Sequence, residues 1–203
     1  MGLSKVTMIL RGYNLDQVRN VAEVLLHAKF VKNMEITLNT DNAYEIIRAI
    51  AKDYQGRLNV GAGTVQTYDE LVNAIEAGAK FVLSPRRMTK DMLAYCNEND
   101  IISVPGSFTP SEIGEQFELG ANIVKVFPAN ELSLSYAKKV REPMGDLKLM
   151  AVGGINKSNV KEALDSGYQY VGTAGGLFAK EQIINKDFEG MLKSLKEFEA
   201  ELE

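Results

Sequence analysis

The sequence predicts a single α/β domain, a (β/α)8 TIM barrel spanning residues 1–203. Three observations lead there. Eight short apolar runs alternate with segments of helical periodicity. One helix-to-strand junction recurs along the chain. No linker, low-complexity tract or charge block divides the 203 residues. An open doubly wound sheet is the other arrangement such an alternation allows.

The apolar runs are Val6–Leu10, Met34–Leu38, Leu58–Val60, Phe81–Leu83, Ile101–Val104, Ile123–Phe127, Leu147–Val152 and Tyr170–Gly172. Each is short, apolar or β-branched, and closed by turn residues, as strands are. Between them, Asn14–Ala28 places Leu15, Val18, Val21, Ala22 and Leu25 close to the i, i+3, i+4, i+7 spacing of one helix face. Asn42–Tyr54, Thr67–Ala77, Thr89–Asn99, Thr109–Leu119 and Lys157–Asp165 read the same way. Thr67 with Glu70 has the capping-box pattern, and Thr109 with Glu112 adds Pro110 at the first helical position. A last helix over about 188–202 puts Met191, Leu192, Leu195, Phe198 and Leu202 on one face. The recurring junction is Ala77-Gly78-Ala79, Leu119-Gly120-Ala121 and Ser166-Gly167-Tyr168, a helix end, a left-handed glycine and a new strand.

Composition narrows the functional classes. Hydrophobic residues make up 45% and charged residues 25%, an ordinary globular balance. The net charge of −4, with no basic block, argues against nucleic acid as a partner. The opening residues contain no long apolar segment, so neither a signal peptide nor a membrane span is expected, and Val6 breaks the myristoylation pattern. The single cysteine, Cys96, cannot form an internal disulfide and sits on a helical stretch. The setting expected is reducing and cytoplasmic.

In a barrel, reactive side chains belong at the C-terminal ends of the strands. Lys125 lies in the middle of Ile123–Phe127. A buried ammonium is costly, so such a lysine drifts towards the neutral, nucleophilic amine. It is either a Schiff-base lysine or an edge-strand lysine with its head in solvent. Glu35, inside Met34–Leu38, is equally unexpected there, as a working carboxylate or a solvated strand start. The third strand runs into Gly61-Ala62-Gly63-Thr64, either a close approach of backbone to ligand, with the Thr64 hydroxyl at the mouth, or a tight turn. Gly153 and Gly154 follow the seventh strand, and Gly175 and Gly176 follow the eighth. Barrels commonly bind phosphate in these two loops, through backbone N–H groups and a helix N-terminus.

Taken together, Glu35-Ile36-Thr37-Leu38, Gly61-Ala62-Gly63-Thr64-Val65, Ser84-Pro85, Val104-Pro105-Gly106, Thr109-Pro110-Ser111-Glu112, Lys125-Val126-Phe127-Pro128-Ala129 and Gly153-Gly154-Ile155 resemble one family. It is the class I aldolase family that acts on 2-keto-3-deoxy-6-phosphogluconate and 4-hydroxy-2-oxoglutarate. The resemblance spans nearly the whole chain. It implies a carbon–carbon lyase, with Lys125 as the Schiff-base lysine and Glu35 as the general acid and base. It places Thr64, Phe127 and Pro85 against a keto-acid substrate, and Gly153 and Gly154 against its phosphate. It also implies a homotrimer needing no metal and no other cofactor.

Two positions depart from the family pattern. Where the family has Leu-Arg-Thr, with arginine gripping the substrate carboxylate, this chain has Leu38-Asn39-Thr40. Asn39 offers hydrogen bonds but no charge. Arg11, at the end of the first strand, is the candidate replacement, and Arg86 and Arg87 are others. Where the family often has Gly-Ser in the last loop, this chain has Ala174-Gly175, so only the Gly175 N–H remains to meet a phosphate. The rival classes are a phosphosugar isomerase or epimerase, a catalytically idle phosphosugar-binding barrel, and a metal-dependent aldolase. His27 is the only histidine, which excludes a site built from several histidines but not an all-oxygen Mg²⁺ site.

Overall fold

The computed structural model describes residues 2–203. Among them the chain forms β1 (Val6–Leu10), α1 (Leu15–Leu25), β2 (Asn33–Thr37), α2 (Ala43–Asp53), β3 (Asn59–Gly63), α3 (Tyr68–Glu76), β4 (Phe81–Leu83) and α4 (Lys90–Glu98). There follow β5 (Ile102–Val104), β6 (Gly106–Ser107), α5 (Pro110–Glu118), β7 (Val124–Val126), α6 (Tyr136–Met144) and β8 (Leu149–Val152). The chain ends with α7 (Val160–Asp165), β9 (Tyr170–Thr173), α8 (Lys180–Ile184) and α9 (Phe188–Ala200).

All strand pairs are parallel, in the order β5-β4-β3-β2-β1-β9-β8-β7-β6. The first and last strands lie side by side, with Val6 opposite Val171, which rules out the open doubly wound sheet. The fifth strand of the predicted eight is in two pieces. β5 pairs with β4 and β6 with β7, and the two are joined through Pro105. Pro105 has no N–H to give, but its carbonyl accepts from the Lys125 N–H at 2.8 Å. The switch of partner at this residue closes the barrel.

Strand alternation sorts the apolar residues into two packed bodies. Ile9, Phe81, Leu83, Val104, Ile123, Met150 and Val152 fill the barrel interior. A larger cluster, including Met8, Leu10, Met34, Ile36 and Val126, lies between the strands and the helices. At the N-terminal end of the strands the interior is closed by polar residues that satisfy one another. Asn33 Nδ2 donates to Thr7 Oγ1 at 3.1 Å, and Asn59 Nδ2 donates to Asn33 Oδ1 at 2.9 Å.

The local chemistry follows the sequence signals. Thr67 and Thr109 cap α3 and α5, each in a complete capping box. Gly78, Gly120 and Gly167 take φ of +105°, +96° and +107° at their junctions. Several bounds differ from expectation. The Leu58–Val60 run continues as strand to Gly63, because those glycines are needed in the barrel wall. α7 begins only at Val160, three residues after Lys157, since Asn156 and Asn159 spend their side chains on a turn around the Gly154 carbonyl. α6 and α8 had no apolar periodicity to announce them. α6 carries Lys138, Lys139, Arg141 and Pro143 and buries only Ala137 and Val140.

α9 packs Met191, Leu195 and Phe198 against the body. It is fixed by Glu199, whose buried carboxylate accepts from the backbone N–H groups of Lys29 (2.9 Å), Phe30 (2.6 Å) and Val31 (3.2 Å).

Candidate active site

Lys125 is the middle residue of β7 and lies between Gly106 on one side and Met150 on the other. Its side chain shares the inward face with Ile123, so it is held inside the barrel and is only 5% exposed. The Nζ atom stands 4.7 Å from the centroid of the Phe127 ring, a cation–π contact that leaves the nitrogen free of any carboxylate. Burial is the main reason its pKa falls from 10.5 to about 8, aided by Arg11 and opposed by Glu35.

Glu35 occupies the inward face of β2, opposite Ile9 on β1 and Gly61 on β3. It is 3% exposed, and its Oε2 has no hydrogen-bond partner. Burial pushes its pKa up from 4.5 to about 7, against the pull of Lys125 and Arg11. A carboxyl and an amine whose proton affinities nearly meet around neutrality can exchange protons with a bound reactant in both directions.

The glycines of β3 have a different purpose from the one their spacing suggested. A Cβ on Gly63 would overlap the Glu35 carboxylate, and one on Gly61 would lie 2.5 Å from the Phe81 ring. They make room for inward side chains of neighbouring strands rather than for a ligand. Thr64, directly after them, is half-buried at φ +61°. A β-branched residue in that region is strained, and such strain persists where the surroundings impose it.

Arg11 directly follows β1 and lines a cavity of about 460 Å³ with Gly153, Gly154, Asn156, Thr173 and Gly175. Gly153 and Gly154 take φ of +115° and +71°, and side chains on either would meet Asn130. The loops after β8 and β9 are tied by Thr173, whose hydroxyl donates to the Ile155 carbonyl at 2.6 Å. Gly175 faces open space. No helix starts directly at Gly175: α8 begins at Lys180 and is five residues long.

Asn39 is not in this group. It is exposed and lines a separate cavity of about 680 Å³ with Tyr13, Asn14, Asp41 and Glu45. Pro85 is half-buried, and its backbone packs so closely on Gly106 that a Cβ there would lie 2.6 Å from the Pro85 carbonyl. Arg86 and Arg87 line a groove against α5, where Arg87 pairs with Glu115. The structure thus brings together Lys125, Glu35, Phe127 and Arg11, and joins Arg11 to Gly153, Gly154 and Gly175. Sequence reasoning missed Thr40, which lies buried beneath the exposed Asn39.

Other reactive residues are accounted for by packing. Cys96 is buried, which pushes its thiol up to about 12. His27 sets its ring edge-on against Phe188 at 5.9 Å. Among the described residues no cluster of three or more His, Cys, Asp or Glu is placed to hold a metal, and no helix is long and apolar enough to cross a membrane.

A buried amine of lowered proton affinity and a buried carboxyl of raised proton affinity, with one guanidinium at the mouth, suit carbonyl addition followed by proton transfer. Comparison with known proteins adds a family to this chemistry. The family model described as "KDPG and KHG aldolase" matches residues 1–193. A Rhizobium meliloti protein named "Probable 2-dehydro-3-deoxy-6-phosphogalactonate aldolase" is 28% identical over 84% of this chain and 80% of its own length. The Escherichia coli KHG/KDPG aldolase is 34% identical over 66% of this chain, and the match spans 62% of that enzyme. A crystal structure of KDPG aldolase from Legionella pneumophila, with pyruvate captured as a covalent carbinolamine, superposes with a TM-score of 0.85 at 27% identity, covering 95% of this chain and 93% of that one. The chain therefore belongs to the KDPG and KHG aldolase family of carbon–carbon lyases.

Proposed function

We propose that the chain cleaves a 2-keto-3-deoxy sugar acid to pyruvate and an aldehyde through a Schiff base on Lys125. The substrates in view are 2-keto-3-deoxy-6-phosphogluconate and 4-hydroxy-2-oxoglutarate. The observation that carries the reading is a lysine buried in mid-strand, unpaired, inside a barrel with one other inward ionisable group nearby, Glu35.

The neutral Lys125 amine adds to the C2 ketone, and water leaves, forming the iminium. Glu35, as carboxylate, accepts the C4 hydroxyl proton, directly or through a water. The C3–C4 bond breaks, and its electron pair flows into the iminium to give the enamine of pyruvate. The new aldehyde departs, as glyceraldehyde 3-phosphate from the phosphorylated acid or as glyoxylate from 4-hydroxy-2-oxoglutarate. Glu35 returns its proton to the enamine carbon, and water hydrolyses the imine to free pyruvate and restore the amine. One carboxyl serves both directions because its pKa lies near neutrality. Thr64 and Phe127 line the keto-acid end. Arg11 supplies the charge that Asn39 lacks. Gly153, Gly154 and Gly175 offer N–H groups to a phosphate. A phosphosugar isomerase would have no use for Lys125. By family likeness the working unit is a homotrimer.

A substrate without phosphate is the second reading. It is favoured by the Gly175 loop, where the Thr173 hydroxyl is spent on the Ile155 carbonyl and α8 begins only at Lys180. Borohydride reduction in the presence of pyruvate tests the mechanism. Mass spectrometry should find one adduct, on Lys125, and Lys125→Ala should abolish turnover with the fold intact. An adduct on another lysine, or none, overturns the mechanism. The ratio of kcat/KM for the phosphorylated and unphosphorylated acids separates the two substrates: a clear preference for phosphate supports the glycine-loop assignment, and equal rates refute it.

A further inference from the structure

Thr40, in the turn after β2 and lining the same cavity as Asn39, carries a buried hydroxyl that the mechanism above does not use. Its neighbour Asn39 turns outwards, while Thr40 is only 7% exposed. Thr40 Oγ1 accepts the Gly12 N–H at 2.9 Å and lies 3.1 Å from Thr37 Oγ1. Thr37 is fully buried, two residues beyond Glu35 on the same face of β2, with Gly63 as its register partner. Gly12 takes φ +75° and turns the chain immediately after Arg11. Among the described residues, the Gly12 bond to Thr40 is the only hydrogen bond made by the Arg11–Tyr13 loop. Arg11 is itself exposed and, among the described residues, makes no ion pair or hydrogen bond of its own. The backbone from which its side chain extends is therefore held, beyond β1, by this one attachment.

We infer that Thr40 is a positioning residue for the aldol reaction: with Thr37 it fixes the Arg11–Gly12 turn, and so sets where the Arg11 charge stands over Lys125 and Glu35. The inference rests on the aldolase reading for its consequence in catalysis, but not for its geometry. It explains how the chain works with Asn39 at the usual arginine position. The charge comes from β1, and the residue after Asn39 holds it in place. Arg11 and Glu35 are the charged groups that bear on Lys125, and Arg11 lowers its proton affinity. Loosening the turn should let the Lys125 pKa rise. A valine at position 40 has nearly the shape of threonine but cannot accept the Gly12 N–H.

The test uses the full chain with Thr40→Val, Thr40→Ser, Arg11→Ala and the Arg11→Ala/Thr40→Val double variant. Thr40→Val should raise KM for the keto acid about tenfold, the affinity equivalent of one hydrogen-bonded partner, with a smaller change in kcat. Thr40→Ser should restore the wild-type KM. In the Arg11→Ala background, Thr40→Val should add no further loss, because the two act through one group. NMR titration of Nζ-labelled lysine should show the Lys125 pKa higher in both Thr40→Val and Arg11→Ala than in wild type. An unchanged Lys125 pKa and KM in Thr40→Val, with only a lower Tm, overturns the inference. So does a Thr40→Val effect that survives in full without Arg11. Wild-type protein that forms no borohydride adduct with pyruvate defeats the aldolase reading alone, and the lysine titration still decides the role of Thr40.

Discussion

At the scale of single residues, the barrel moves the proton affinities of two groups away from their values in water. Lys125 binds its proton less tightly than an exposed lysine, and Glu35 binds its proton more tightly than an exposed glutamate. Imine formation needs the free amine and C–C cleavage needs the carboxylate. The rate of pyruvate C3 proton exchange in D₂O should fall as pH drops through about 8, and fall more steeply below about 7. Glu35→Gln should remove the second bend and leave the first. The same shifts govern stability. Lys125 has a depressed folded pKa, so its contribution is complete above 10.5 and is lost as pH falls through about 8. Glu35 has a raised one, so its contribution is complete below 4.5 and is lost as pH rises through about 7. Both burdens fall on the fold near neutral pH, where the chemistry runs. Lys125→Met should therefore stabilise the inactive protein at pH 7, by up to about 3 kcal/mol. A urea midpoint that does not rise would show that the ammonium is better solvated than its burial implies. Lys125 and Glu35 were legible in the sequence because a charge inside an apolar run is anomalous without any structure. Thr40 was not, because a threonine after a strand looks like any turn residue until its partner, 28 positions away, is known.

At the scale of elements, strands β1, β2, β3 and β7 act as a positioning frame, and Gly63 is its tightest joint. The Glu35 carboxylate lies over the α-carbon of Gly63, so the acid is placed by a missing side chain on the next strand. Gly63→Ala should displace it and lower kcat by at least about a hundredfold, the usual contribution of a positioned acid or base. Circular dichroism should show the barrel preserved, and borohydride should still trap pyruvate on Lys125. Wild-type kcat would mean that Glu35 acts from another rotamer. The strands and capped helices were readable because apolar runs and capping boxes are local signals. Short α8 and basic α6 were not, since they pack on surfaces made by other elements. The glycines of β3 were visible as glycines, but whether they admitted a ligand or a neighbouring side chain depends on strand register, which a single sequence does not state.

At the scale of the whole molecule, the last helix is latched to the start of β2 by one buried carboxylate. Glu199 satisfies three backbone N–H groups far along the chain from it. Glu199→Ala would leave those donors unpaired, at a cost of about 3 kcal/mol, which for a domain of this size lowers Tm by roughly 6–12 °C. Differential scanning calorimetry measures it. KM should stay unchanged, because Glu199 bonds only the chain ahead of β2 and none of the residues lining the site; a large KM change would mean that the latch sets the barrel's shape. The closed sheet separates an inner packed body of seven residues from a larger outer one. That partition has a consequence for how such a chain can change over time. The outer body can drift, be recoded by a designer or be hardened against heat while the proton chemistry inside stays constant. A library aimed at new aldehydes should vary the inner ring and the loops above it, and one aimed at shelf life should vary everything outside the wall.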